Sequence, residues 1–282
     1  MKKWDIGVFA SVDAGLGVHL HVAQELGIPT IQVHAPHDHN RTPETAKRFL
    51  ESLQEYSLEL TAVFGGFDGE SYADIPTVEQ TVGLVPVTTR SSRLAEMKQI
   101  SDFAKLLHCD VIALHLGFVP HDTSSQDYAD IVATTQELCD HASANGQNLH
   151  LETGQETADG LIQFISDTAR ENLFVNFDPA NMILYGTGEP IEALKKLGSR
   201  VRSVHCKDAT WAANPGNEWG EEKPLGKGDV NIRRYLETLE EIGYMGPLTI
   251  EREIPQEPER QKAEIGMAAK LLARLRGEVL GA

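Results

Sequence analysis

The chain has 282 residues, of which 41% are hydrophobic and 24% charged, with 24 glycines, a composition that excludes fibres and disorder and supplies a core. Lys and Arg number 25 against 42 Asp and Glu, and a formal charge of -17 repels phosphate backbones and disfavours a nucleic-acid partner. No run is long enough to span a bilayer, Asp5 and Asp13 interrupt the start before any signal-peptide core, and Cys109, Cys139 and Cys206 form no CxxC pair, so a cytoplasmic protein with free thiols is expected.

Asp5 to Ser11 (DIGVFAS) opens the chain as a strand, and Val18 to Leu26 follows as a short helix stopped by Gly27. Thr30 to Pro36 (TIQVHAP) is the second strand. The helix Pro43 to Tyr56 has Thr42 as its N-cap and a proline in its first turn. Leu58 to Phe67 is the third strand, ended by Gly65 and Gly66. From Asp68 to Arg90 the pattern dissolves, and so long a connection predicts a lid or substrate loop. Ser92 to Leu107 is an amphipathic helix, and Val111 to Phe118 (VIALHLGF) a strand presenting His115. After the helix Ser125 to Asn145, Asn148 to Glu152 is the fifth strand, followed by the helix Ala158 to Arg170. The sixth strand starts at Leu173 and presents Asp178. A turn rich in Pro, Asn and Gly runs through Gly188 to the helix Pro190 to Leu197. Val201 to Asp208 presents His205 and leads into a second long loop, Asp208 to Val230. The helix Ile232 to Ile242, the strand Pro247 to Glu253 with Glu251, and the helix Pro258 to Arg276 complete the order.

Strands alternating with helices imply parallel pairing through right-handed crossovers, and eight such units close into a (β/α)8 barrel. Barrels of about 250 residues fold as one unit, so a single domain over residues 1–282 is expected. A doubly wound open sheet is the competing architecture, but it would scatter the polar residues that end these strands. A barrel brings them to one mouth.

Glu152, Asp178, His205 and Glu251 end four successive strands. One such acid alone reads as a helix cap or a solvated charge; four in register read as a metal site. Carboxylate oxygens with a single imidazole suit Mn²⁺, Mg²⁺ or Co²⁺ better than a structural zinc. Alternation places Lys207 beside His205 inside the barrel and turns Cys206 toward the helices. The same count pairs His150 with Glu152, Asn176 with Asp178, and Thr249 and Glu253 with Glu251. His115 reads equally as a core histidine or a substrate contact, and His34 in VHAPH is a weaker candidate. Glu156, four residues past its strand end, reads as a partner for a metal-bound water or a substrate hydroxyl. Gly226, Lys227 and Gly228 lack the full Walker pattern and read as a tight turn. Trp211 and Trp219 either cover a sugar face or anchor their loop. No Ser or Cys sits in a nucleophile elbow.

The pieces LHLETGQET, NFDPANMILYGTGEPIEAL, VHCKDA, PLGKGDV and LTIERE resemble the xylose-isomerase-like TIM barrels of the sugar phosphate isomerase/epimerase superfamily along essentially the whole chain. The resemblance implies one divalent ion, Mn²⁺ foremost with Mg²⁺, Co²⁺ or Zn²⁺ as alternatives, bound by Glu152, Asp178, His205 and Glu251. It implies a small sugar substrate, and it is compatible with a homo-oligomer. The endonuclease IV group of this superfamily has a metal-binding histidine where this chain has Asn181, and an Asp-x-His where this chain has Asp229, Val230 and Asn231. A trinuclear site would lack two imidazoles, which disfavours DNA repair. The 3-epimerases also usually carry histidine at the Asn181 position, and an arginine at the place of Trp211; Lys207 is then expected to polarise the substrate, with Asn181 and His115 contacting it. The expected activity is isomerisation or epimerisation of a ketose or keto-sugar through an enediolate, with Glu152 and Glu251 as acid and base. The alternatives are a metal-dependent dehydratase or lyase on a keto-sugar or keto-inositol and, disfavoured, an endonuclease or a non-catalytic sugar-binding barrel.

Overall fold

A computed structural model describes residues 3–13, 15–253 and 257–281. Strands β1 (Ile6–Ser11), β2 (Thr30–His34), β3 (Glu59–Gly65), β4 (Val111–Leu114), β5 (Asn148–Glu152), β6 (Leu173–Phe177) and β7 (Val201–Cys206) lie side by side in chain order. After a small antiparallel hairpin of β8 (Asp208–Thr210) and β9 (Glu221–Lys223), β10 (Leu248–Ile250) closes the ring between β7 and β1. All eight barrel pairings are parallel, and the expected (β/α)8 barrel is the fold. The surrounding helices are α1 (Leu20–Glu25), α2 (Pro43–Tyr56), α3 (Ile75–Thr81), α4 (Val87–Leu106), α5 (Gln126–Ala144), α6 (Ala158–Thr168), α7 (Pro179–Tyr185), α8 (Pro190–Leu197), α9 (Ile232–Glu241) and α10 (Pro258–Leu280).

Local chemistry explains these boundaries. The Thr42 hydroxyl accepts from Thr45 N at the start of α2, Pro43 fits the first turn, and Ala46, Phe49 and Leu53 bury one face. Two stretches read as irregular are helical. Within residues 68–90, the Asp74 carboxylate accepts from Thr77 N (2.8 Å) to cap α3. Helix α4 starts at Val87 rather than Ser92, because the buried Arg90 and Arg93 donate to Leu84 O (3.0 Å) and Gly83 O (2.8 Å) and tie its first turns to the preceding chain. The segment after β6, read as a turn, begins with α7.

The barrel interior is divided. On the β1–β4 side Phe9, Ala62, Phe64 and Ala113 form an apolar cluster. On the β5–β7 side it is polar: His150 Nδ1 meets Ser203 Oγ at 2.7 Å, and burial pushes His150 down to about 3, leaving a neutral ring. The candidate site stands above this boundary, at the carboxyl ends of the strands.

Candidate metal centre

β5 ends on Glu152, Asp178 follows β6, His205 lies on β7 and Glu251 follows β10. One ligand atom from each lies within 4.8 Å of the others. His205 Nδ1 is 2.7 Å from Glu152 Oε1, 3.2 Å from Glu251 Oε2 and 3.5 Å from Asp178 Oδ2. Burial would lower the imidazole, but the carboxylates of Glu251 and Glu152 hold it well above its ordinary value.

Each member is fixed from behind. Asp178 Oδ1 accepts from Ala180 N (2.8 Å) and Asn181 N (3.0 Å) and so caps α7, while Oδ2 is buried with no hydrogen-bond partner among the described residues. His205 Nε2 lies 2.7 Å from Gln32 Oε1, an acceptor, which places a proton on Nε2 and turns Nδ1 to the carboxylates. Its ring stacks on Phe64 (5.2 Å between centroids) and meets the edge of Phe9 (5.7 Å). Lys207, buried, donates to Glu253 (2.7 Å) and Glu251 (3.2 Å). Burial raises the Glu251 carboxyl, but Lys207 and His205 outweigh it and hold the group well below the usual carboxylate range.

Three carboxylates and one imidazole facing a common point, with an orphaned buried oxygen among them, fit a single divalent cation. The positions that would build a multinuclear site serve other purposes. Asp229 accepts from Trp211 N (3.1 Å), and Asn231, with φ of 60°, caps α9.

His115 Nε2 lies 3.1 Å from Glu152 Oε2, and its Nδ1 accepts from Gln155 Nε2 at 3.2 Å. Asn181 Nδ2 donates to Glu152 Oε1 at 3.4 Å, and its Oδ1 accepts from Lys207 Nζ at 3.5 Å. Glu156 is held by backbone. Its Oε1 accepts from Val119 N (2.7 Å), it lines neither cavity at the mouth, and burial pushes its carboxyl up to about 8. Sequence reasoning missed Gln32, which alternation from His34 would have placed inside, and Gln155, which also donates to Tyr185 OH (3.0 Å).

A cavity of about 860 Å³ opens onto Glu152 and Glu251, with Asp68, Glu70 and Tyr72 from the first long connection in its lining. A smaller chamber of about 100 Å³ adjoins it through Tyr72, His115 and Glu253, and the second connection lines it with Trp219 and Glu222. Trp219 packs edge-on against Tyr185 (4.6 Å). Both long connections therefore border the mouth.

A (β/α)8 barrel with this ligand set defines a class, and comparison with known proteins agrees. The chain belongs to the xylose isomerase-like TIM barrel family, whose model matches residues 20–274. A crystal structure of a xylose isomerase domain protein from Planctomyces limnophilus is 59% identical, with a TM-score of 0.97 over 99% of this chain and 100% of that one. L-ribulose 3-epimerase from a Methylomonas species is 27% identical over 150 residues, 51% of this chain and 48% of that protein. A barrel from Mycobacterium smegmatis in complex with magnesium shares the fold, with a TM-score of 0.71 and 19% identity over 96% and 97% of the two chains. No helix among the described residues is long and apolar enough to cross a membrane.

Proposed function

We propose that the protein is a divalent-metal-dependent isomerase or epimerase of a ketose or keto-sugar, with Glu152 and Glu251 as its acid and base. The observation that carries this reading is the placement of two glutamates at one buried cluster on a cavity floor, at the carboxyl ends of strands β5 and β10 with β6 and β7 between them. Similarity to a sugar 3-epimerase supports the substrate class. Bound by Glu152, Asp178, His205 and Glu251, a divalent ion, Mn²⁺ first among the candidates, supplies positive charge where the substrate's carbonyl oxygen becomes negative.

The chain's own groups divide the proton work. Glu251, kept ionised by Lys207 and His205, takes the proton from the carbon next to the carbonyl. Glu152, contacted by His115 and Asn181, returns a proton to the opposite face, which inverts that carbon. Return to the neighbouring carbon isomerises instead. The roles exchange in the reverse direction.

The test is deuterium uptake from D₂O, followed by NMR on a panel of ketoses with metal-loaded protein. Glu152→Gln and Glu251→Gln keep an oxygen ligand and remove the base, so turnover should fall by about 10² or more while metal content is largely retained. Near-normal exchange in either variant with normal metal content removes that glutamate from the chemistry. An unsaturated product places the protein among the lyases.

A further inference from the structure

We infer that the substrate is larger than one sugar: a ketose or keto-sugar carrying a second, uncharged, hydroxyl-bearing unit such as another sugar ring. The second unit lies in a groove that leads outward from the metal centre, between the segment after β2 and helix α4. This deepens the keto-sugar reading of the centre and rests on it.

The cavity over Glu152 and Glu251 measures about 860 Å³. Liquid water takes about 30 Å³ per molecule, so the space holds roughly 29 waters, more than a single hexose displaces. One wall beyond the centre is formed by His34 and residues 35–38. The other carries Ser92, Ala95, Glu96 and Gln99. These four stand at i, i+3, i+4 and i+7 on α4, a single helix face, and the short side chains of Ser92 and Ala95 leave room beside it.

Arg41 and Glu96 join the two walls. Arg41 Nη2 donates to Glu96 Oε1 (2.7 Å) and Nε to Pro36 O (2.9 Å), with 6% of the Arg41 side chain exposed. Nη1 is buried away from the groove surface, with no partner among the described residues. On the same wall His34 Nδ1 donates to Ala35 O (2.9 Å), which leaves Nε2 as an acceptor. Gly66 faces that nitrogen, and a Cβ there would stand 2.5 Å from it. The spare acceptor suits a hydroxyl group.

Charge decides against an anionic second unit. Asp38, Asp68, Glu70 and Glu96 line the cavity, while its arginines are already paired, Arg41 with Glu96 and Arg252 with Glu222 and Glu264. A phosphate or carboxylate would meet repulsion, whereas hydroxyls donate to such acids.

The experiment compares D-fructose, fructose 6-phosphate, lactulose and isomaltulose on the metal-loaded protein, by deuterium exchange and by titration calorimetry. At least one disaccharide should exceed fructose about tenfold in kcat/KM. Arg41→Ala and, independently, Ala95→Phe, which fills the groove without touching Arg41, should each cut that ratio about tenfold. If fructose or its phosphate is preferred to both disaccharides, or if neither variant moves the ratio, the extended neutral substrate is wrong and the keto-sugar reading stands. Disaccharide binding without exchange, weakened by both variants, supports the groove and overturns the isomerase chemistry. Neither binding nor exchange with any probe overturns both.

Discussion

Asp178 and Asp208 are buried carboxylates just past the ends of neighbouring barrel strands, and burial pushes both upward, yet the chain treats them oppositely. The Asp208 oxygens accept from Ala209 N (3.0 Å), Gly226 N (2.9 Å), Gly228 N (3.0 Å) and Val230 N (3.1 Å). The glycine turn that superficially resembles a phosphate cradle is a cradle for the protein's own carboxylate, and a Cβ on Gly228 would stand 2.3 Å from Asp208 Oδ1. Asp178 spends one oxygen on two backbone N–H groups and leaves the other without a hydrogen-bond partner, toward His205. A satisfied buried acid is scaffold. An acid folded with one oxygen kept back is open to a cation.

The largest test of this contrast is Asp178→Asn, which keeps a cap acceptor for α7 and removes the spare carboxylate oxygen. Titration calorimetry with Mn²⁺ should show affinity reduced by about 10² or more, beyond the loss typical of outer partners, with the metal-free melting temperature little changed. Unchanged affinity would remove Asp178 from the ligand set. Next, Gln32→Leu deprives His205 Nε2 of its acceptor, and the same titration should show a loss of about 10- to 100-fold. Rescue by Gln32→Glu, which restores an acceptor, separates orientation of the ring from simple packing.

Asp208→Asn reverses the pattern: several charge-assisted bonds are lost, so denaturant unfolding should report about 2–3 kcal/mol of destabilisation while metal affinity stays near wild type. A metal defect as large as that of Asp178→Asn would erase the distinction between the two acids. The smallest effect concerns Glu156, hydrogen-bonded by Val119 N alone among the described residues and pushed up to about 8 by burial. Because its folded value lies above its unfolded one, its protonated form favours folding: that contribution is full below about pH 4.5 and is lost as pH rises through 8. Glu156→Gln keeps an acceptor for Val119 and removes the charge, so it should stabilise by up to about 3 kcal/mol at pH 7 and flatten stability between pH 4.5 and 8. Equal pH dependence in both proteins rejects that assignment.

The barrel was legible because its signals are local. Helix α2 and strand β5 occupy the residues that capping and alternation assign them. Helix α7 was obscured because Asp178 has two roles, and a residue already read as a ligand was not also read as the cap its Pro179 announces. Helix α3 is short and set among Pro and Thr, although Asp74 and Pro76 mark its start. Within the centre, the four strand-end residues come together as their register implies. The support behind them was less readable: Gln32 meets His205 from 173 positions away, a contact that only barrel closure creates.

Three of the four candidate ligands arrive on the consecutive strands β5 to β7, but Glu251 follows β10, which also pairs with β1. Trp4 Nε1 donates to Tyr244 O (2.9 Å) and Arg276 Nη1 to Trp4 O (2.9 Å), so the first and last segments of the barrel clasp across this seam. A nascent chain that has emerged only as far as β7 carries three ligands and no complete site. An ion held by all four binds the finished ring alone, and its binding energy accrues wholly to that state.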